Sequence, residues 1–260
     1  MPRPLLATLL GLLVAGCSAM HTPEPAPTVP CPGQAAQPAT AALCARDGAI
    51  HTLRARFRAD VDAAGASRSA EGVLVWRAPG ALRVKLFTLA GLTVYDALWV
   101  GDGERVRGVV RQPLSARSDR FDLGPGETTD SPDADLSLVL WALWQPRCSQ
   151  PPAAEDAAGE RFALAAAPAR ALQREAVVDA GEVREETLVR ARAAGGEERI
   201  VTRYSDYECA PEPPLPHHIE IEAPASGWRA RVTILELSRN ITLDDGLFVV
   251  PDAADGNAGS

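Results

Sequence analysis

The stretch that decides the fold is Leu53-Arg54-Ala55-Arg56-Phe57-Arg58-Ala59-Asp60-Val61-Asp62, in which every odd-numbered residue is apolar and every even-numbered residue is charged. Side chains alternate between the two faces of a β-strand, so this period of two predicts a strand with one dry face and one solvated face. Similar segments follow it at short intervals, with turn residues such as Ala78-Pro79-Gly80 between them. Parallel strands need longer crossovers, so this spacing predicts an antiparallel meander.

The same pattern predicts ten further strands: Ala70–Arg77, Leu82–Thr88, Leu92–Val100, Arg105–Gln112, Arg161–Ala166, Leu172–Val178, Glu186–Arg192, Glu198–Tyr204, His218–Glu222 and Trp228–Leu237. The segments Pro151–Gly159 and Cys209–Pro216 are predicted to be loops. The acidic runs Glu182–Glu186 and Glu197-Glu198 are predicted to be solvated hairpin ends.

Two segments favour helices. Ala39–Arg46 is predicted to form a short helix that ends at Asp47-Gly48. Ser131 is a suitable N-cap with Pro132 in the first turn, and Leu136–Trp144 after it is apolar on all sides. Such a helix either packs on the sheet as a core element or closes over a ligand cavity, and the sequence leaves both open.

The N-terminal segment indicates export and lipid attachment. Arg3 precedes a short apolar core, Leu5–Ala15, that is too short to span a bilayer and is typical of a signal peptide. Leu13-Val14-Ala15-Gly16-Cys17 resembles the lipobox of bacterial lipoproteins, which implies cleavage after residue 16 and acylation of Cys17, with palmitate among the chains. An ordinary signal peptide with an incidental cysteine is the alternative. Ser18 after the anchor favours the outer membrane, with the protein on its periplasmic face.

The predicted mature chain has three parts: a lipidated Pro/Ala-rich tether at residues 17–38, one domain at 39–251, and a disordered tail at 252–260. Removing residues 1–16 changes the formal net charge from −8 to about −9, because Arg3 is lost. This acidic balance argues against nucleic acid as a partner. Four cysteines remain after the anchor, and an even number in an exported chain suggests disulfides. Three pairings are possible, of which Cys31–Cys44 with Cys148–Cys209 is favoured; buried free thiols are the alternative.

No catalytic motif is present in the sequence: GxSxG, HExxH and a phosphate-binding loop are all missing. His217 and His218 are neighbours on a predicted strand, so they point to opposite faces and make a poor metal pair. We therefore predict no catalytic residue, no metal site and no cofactor, and we expect that the protein is not an enzyme. A hydrolase would need a nucleophile and base brought together only by the fold.

Several segments resemble the outer-membrane lipoprotein-sorting proteins of the LolA/LolB type. The early ones are Gly72-Val73-Leu74-Val75-Trp76-Arg77, Pro79-Gly80, Leu82-Arg83-Val84-Lys85-Leu86-Phe87 and Gly91-Leu92-Thr93-Val94; the last is Asn240–Pro251. The resemblance implies a mainly β fold, with a curved antiparallel sheet that forms an incomplete β-barrel and one or two short helices plugging its concave side. It also implies a hollow that accepts lipoprotein acyl chains, a function that needs burial of hydrocarbon and no catalytic group.

The resemblance points to two sets of functional residues. Leu89 or Leu92, on the hairpin after the predicted strand Leu82–Thr88, is implied to help pass cargo into a membrane. The candidates for the cavity lining are Leu82, Val84, Leu86, Leu98, Trp228, Leu140, Trp141 and Trp144. Ordinary core packing is the alternative for each of them.

Two functions of different classes follow. The first is a lipid-anchored envelope protein that binds a hydrophobic ligand, with acyl chains of lipoproteins as the expected cargo. The second is an envelope sensor or assembly lipoprotein that uses the same fold with a packed core and has a periplasmic protein as its partner.

Overall fold

The computed structural model describes Cys44 and residues 47–63, 66–101, 105–124, 154–155, 161–164, 173–179, 182–191, 196–208 and 215–250. Within these ranges the protein is mainly β, as predicted. Thirteen strands form one antiparallel sheet that does not close into a barrel. The strands are β1 Thr52–Ala63, β2 Ala66–Arg77, β3 Ala81–Phe87, β4 Thr93–Gly101, β5 Val106–Gln112, β6 Arg117–Leu123, β7 Ala154–Glu155, β8 Arg161–Leu164, β9 Gln173–Asp179, β10 Glu182–Ala191, β11 Glu197–Glu208, β12 Leu215–Ala223 and β13 Trp228–Arg239.

The strand order joins the two halves of the chain at the middle of the sheet. Each strand pairs with its neighbour in sequence, except that β1 also pairs with β13 and that β6 and β7 form the two edges. The first half, β1 to β6, therefore lies on one side of the β1–β13 pair, and the second half, β7 to β13, lies on the other. The predicted helix from Ser131 to Trp144 belongs to the connection between the two edge strands and lies outside the described residues.

Three local predictions differ from the structure. Strand β6 was not predicted, because its alternation is weak: only Leu123 is buried in it. The short strand β7 falls inside the predicted loop Pro151–Gly159. Asp47, Gly48 and Ala49 are helical, so the helix predicted to end at Asp47-Gly48 extends past its expected stop.

The alternating stretch from Leu53 to Asp62 lies in β1, as its pattern predicts. Leu53, Ala55, Phe57 and Ala59 are buried, and the arginines between them are exposed. Their face of the sheet, which we call the inner face, carries one continuous cluster of buried apolar residues from both halves of the sheet. The opposite or outer face carries a smaller cluster built from Val75, Ala81, Leu98, Val109 and Phe248.

Candidate functional site

The buried residues on the inner face of the described first half are all apolar. Trp76 on β2 lies opposite Leu82 on β3, and Leu82 lies opposite Trp99 on β4, so the three side chains form a row across neighbouring strands. Their exposed fractions are 5%, 0% and 0%. Trp99 in turn faces Gly108 on β5, where the missing side chain leaves the space that the Phe121 ring occupies.

The structure separates the predicted lining residues into two groups. Leu82 and Val84 are buried in the inner cluster, and Leu86 and Trp228 pack against it while partly exposed. These four residues share one face of the sheet. Leu140, Trp141 and Trp144 lie outside the described residues.

Leu98 lies on the other face of the sheet from these four candidates. Leu98 lies between Ala97 and Trp99, both of which belong to the inner cluster, so it points to the outer face. There it is buried with Phe248 from the C-terminal segment. The predicted strand Leu92–Val100 was therefore given the wrong parity, which moves a side chain to the other face.

The outer cluster is closed by the 3-10 helix Asp245–Phe248. The guanidinium carbon of Arg77 lies 4.5 Å from the centre of the Phe248 ring, a cation–π distance. Arg83 donates to both carboxylate oxygens of Asp96 at 2.9 and 2.8 Å and to the Leu247 carbonyl at 3.2 Å. The hydrogen bonds to Asp96 raise the pKa of Arg83. These contacts attach the end of the chain to β2, β3 and β4.

The second half of the sheet contains buried charges, which the sequence did not predict. Glu182, Glu186 and Glu198 are at most 1% exposed, so the prediction that both acidic runs are solvated hairpin ends is wrong for these three residues. Glu186 accepts a hydrogen bond from the Tyr204 hydroxyl at 3.0 Å and forms an ion pair with Arg174. The side chains of Arg174 and Glu186 are 7% and 0% exposed.

The other two buried carboxylates also have nearby donors. Glu198 accepts from the Ser226 hydroxyl, and Glu182 lies 3.1 Å from Nη2 of Arg184. A buried charge is tolerated when it is paired and hydrogen-bonded. In the second half of the sheet these paired charges are therefore buried beside apolar residues of the inner cluster, whereas the buried residues of the described first half are all apolar.

Some buried donor groups of tryptophan and threonine have no hydrogen-bond partner in the described part of the chain. They are the indole nitrogens Nε1 of Trp76 and Trp99 in the first half and the hydroxyl of Thr202 in the second. Thr202 lies opposite Glu186 on the neighbouring strand. Most buried donors in folded proteins are satisfied, so each such atom needs an explanation.

The β3–β4 hairpin presents exposed leucines at one end of the sheet. Leu89 is 90% exposed and Leu92 is 57% exposed. The turn is held by hydrogen bonds from the Gly91 amide to the Thr88 carbonyl, 2.8 Å, and from the Leu92 amide to the Thr88 hydroxyl, 3.1 Å. Gly91 has φ +79°, a left-handed conformation that glycine adopts without strain.

A third exposed leucine lies at the same end and was not predicted. Leu114, 65% exposed, belongs to the 3-10 helix Pro113–Ser115 between β5 and β6. Arg111, near the end of β5, pairs with Asp96, near the start of β4. The β5–β6 connection that carries Leu114 therefore lies beside the β3–β4 hairpin. The sequence contained a signal for an exposed Leu114: this leucine follows Pro113, directly after the predicted strand Arg105–Gln112.

Cys17 and three of the four remaining cysteines, Cys31, Cys148 and Cys209, lie outside the described residues. Lipid attachment and the disulfide pairing, which also involves Cys44, stay predictions. Across the described ranges, no helix reaches the length and apolar character needed to cross a bilayer. In the same ranges no group of three or more His, Cys, Asp or Glu side chains is arranged to hold a metal ion.

Comparison with solved structures confirms the predicted fold. A DUF1329 family protein from Desulfovibrio piger superposes with a TM-score of 0.57 and 12% sequence identity, covering 82% of this chain and 98% of that chain. A LolA superfamily protein from Nitrosomonas europaea gives 0.54 and 12%, covering 83% and 99%. A domain assigned to outer membrane lipoprotein sorting from Vibrio parahaemolyticus gives 0.53 and 10%, covering 81% and 94%.

At such low identity these similarities show a fold shared with the three solved structures and nothing finer. No protein-family model and no curated protein matches the sequence at a significant level.

Proposed function

We propose that this chain is a non-enzymatic lipoprotein of the cell envelope that binds acyl chains, most simply those of other lipoproteins, on the inner face of its sheet. The observation that carries the proposal is the continuous apolar inner face of an open sheet in the fold of lipoprotein-sorting proteins. Cys17 anchors the chain, Ser18 directs it to the outer membrane, and residues 17–38 hold the domain in the periplasm.

Burial of hydrocarbon supplies the binding energy. Each square ångström of apolar surface removed from water contributes about 25 cal/mol, so an acyl chain that buries a few hundred Å² gains several kcal/mol. Leu82 and Val84 on β3, with Leu86 and Trp228 nearby, provide such a surface on one side. No catalytic group or cofactor takes part.

A pair of alanine substitutions tests the inner face. Ala97 lies on the inner face opposite Val84, whereas Ala81 lies on the outer face opposite Val100. In a soluble form that begins at Ser18, we expect Ala97→Leu to fill the space of the acyl chain and abolish saturable binding of a fluorescent fatty acid. Ala81→Leu, an equal increase in volume, leaves binding intact. Urea unfolding of both variants checks that each is folded.

Two results contradict the proposal. If the unaltered protein shows no saturable uptake of the fatty acid, the inner face is an ordinary core. If Ala81→Leu abolishes binding as completely as Ala97→Leu while both variants stay folded, the ligand does not occupy the inner face.

We assign the end of the sheet that carries Leu89, Leu92 and Leu114 to contact with the membrane. Leucines this exposed cost solubility in water and gain free energy when they enter the acyl region of a bilayer. Leu89→Asp is expected to slow the transfer of a labelled lipoprotein to lipid vesicles at least tenfold without changing stability, because an exposed side chain contributes little to folding. Val249→Asp is the matched control, since Val249 is 64% exposed but lies in the C-terminal segment next to Phe248. Equal rates for the two variants exclude this role for the hairpin.

The buried charges of the second half favour one alternative, an envelope sensor or assembly lipoprotein with a filled interior. The paired charges of Arg174 and Glu186 leave that half unsuited to hydrocarbon. Crosslinking in cells separates the two functions: one stable periplasmic partner supports the alternative, and a range of lipoprotein clients supports acyl-chain binding.

A further inference from the structure

The two unpartnered indole groups of the first half identify the polar part of the ligand. Trp76 and Trp99 flank Leu82 on adjacent strands of the inner face, and both are nine-tenths or more buried. Neither Nε1 has a hydrogen-bond partner in the described part of the protein. An indole nitrogen can only donate, so the group that satisfies it must be an acceptor.

The surroundings of the two donors exclude most acceptors. The described inner-face residues next to Trp76 and Trp99, on the same strands and on the adjacent strands, carry no polar side chain. They are Leu53, Leu74, Ala97, Val106 and Gly108. A carboxylate or phosphate placed here would be a buried anion without a cation among these neighbours, which costs several kcal/mol. A neutral carbonyl is compatible with the site, because it accepts a hydrogen bond and carries no net charge.

We propose that Trp76 and Trp99 form a carbonyl-binding site, in which one or both indole N–H groups donate to the ester or amide carbonyl oxygens that join acyl chains to their carrier. This inference rests on the proposed function, because it concerns the same inner face. It adds a polar determinant: the protein binds acylated molecules by the linkage as well as by the hydrocarbon. The two donors stand two strands apart, which suits a ligand with more than one acyl carbonyl.

An unsatisfied buried donor destabilises the ligand-free protein, and a carbonyl that pairs with it removes that cost on binding. Each hydrogen bond of this kind is expected to strengthen binding about tenfold. An alkane of the same size gains the burial energy without this contribution. The site therefore discriminates between acyl esters and plain hydrocarbon.

The test compares the methyl ester of lauric acid with the alkane that has the same number of heavy atoms, both delivered from cyclodextrin to the chain that begins at Ser18. The ester is expected to bind about tenfold more tightly or better. Trp99→Phe and Trp76→Phe keep an aromatic ring and remove the N–H, so each is expected to weaken binding of the ester up to tenfold. The quantity compared is the ratio of ester affinity to alkane affinity, because the smaller ring changes the packing around both ligands alike.

A second measurement does not depend on the variants. The chain has five tryptophans, and ¹⁵N labelling of the indoles gives one NMR signal for each. The ester is expected to move the Trp76 or Trp99 N–H proton downfield, as a new hydrogen bond does, while the alkane leaves it in place.

Every outcome bears on the proposal. Equal affinities for ester and alkane, with unshifted indole signals, overturn the carbonyl-binding site and leave the proposed function standing. If neither ligand binds, the proposed function fails and the carbonyl site fails with it. If the variants do not fold, the NMR signals of the unaltered chain decide.

Discussion

The buried ion pair between Arg174 and Glu186 gives the most demanding prediction about stability. Both side chains are almost fully enclosed, at 7% and 0% exposure, and the Tyr204 hydroxyl donates to the second oxygen of Glu186 at 3.0 Å. Arg174→Met fills nearly the same volume and removes the positive charge, so the Glu186 carboxylate stays buried without its cation. Breaking a buried pair in this way costs about 3–5 kcal/mol. That is a large part of the 5–15 kcal/mol that typically stabilises a domain.

Replacing the whole group is expected to be far less harmful than removing one member. Arg174→Met combined with Glu186→Leu and Tyr204→Phe removes the polar groups of all three members together, and apolar replacements of buried ion pairs are often neutral. The triple variant should therefore recover most of the stability that the single variant loses. The control is Arg56→Met, because Arg56 pairs with Glu236 at 3.0 Å with 51% and 67% of the side chains exposed. Such surface pairs contribute at most about 1 kcal/mol.

The assay is urea unfolding followed by tryptophan fluorescence, with the slope against urea used to check that the unfolding reaction is unchanged. A loss below about 1 kcal/mol for Arg174→Met, equal to that of Arg56→Met, refutes the reasoning. In that case solvent screens the pair, and the second half of the inner face is open to water. A triple variant no more stable than the single one would place the cost in lost packing rather than in the unpaired charge.

Two further substitutions test other parts of the sheet. Gly108→Ala places a Cβ 2.6 Å from the Leu98 carbonyl oxygen and against the Phe121 ring. We expect urea unfolding to show that the free energy of unfolding falls by about 1–3 kcal/mol, and that adding Phe121→Leu restores only part of it. Full recovery would mean that the backbone is free to shift. The hydrogen bond from Arg203 lowers the pKa of Glu222, so its stabilisation is complete above the ordinary glutamate value of about 4.3 and is lost as the pH falls through the lower folded value. Glu222→Gln should therefore flatten the fall in unfolding free energy below about pH 4.3, and an unchanged acid slope contradicts this.

The alternation of apolar and charged residues predicted the sheet because it reports directly on the pleat. In β1 the predicted dry face is the inner face along the whole stretch from Leu53 to Ala59. Alternation cannot assign the two faces of a strand when both faces are apolar. Strand β4 contains Ala97-Leu98-Trp99-Val100, and the outer cluster buries one side of it while the inner cluster buries the other. The sequence pattern then does not show which of Leu98 and Trp99 points to the inner face. Only the register of β4 with β3 and β5 determines this.

The buried glutamates were missed for a different physical reason. Glu198 has the same parity as Ile200, Thr202 and Tyr204, all of which are buried on β11, so strict alternation would have placed it inside. The general preference of carboxylates for water outweighed that pattern in the prediction. Glu186 is harder still, because the register shifts between Val183 and Glu185 where β10 pairs with β9. A bulge changes the parity of a strand, so Val183 before it and Leu188 after it both reach the inner face.

The contrast between the two halves of the inner face indicates where a ligand lies. Hydrocarbon placed over Arg174 and Glu186 would strip the remaining water from a charged group, which opposes binding. Over Leu82 and Val84 the same hydrocarbon meets only apolar neighbours, and the adjacent indole N–H groups of Trp76 and Trp99 offer two donors that the described part of the protein leaves unpaired. Burial energy and hydrogen bonding thus favour the same place, over β2 to β4. The hairpin that carries Leu89 connects β3 to β4, so the strands proposed to hold the acyl chain also lead to the end proposed to contact the membrane.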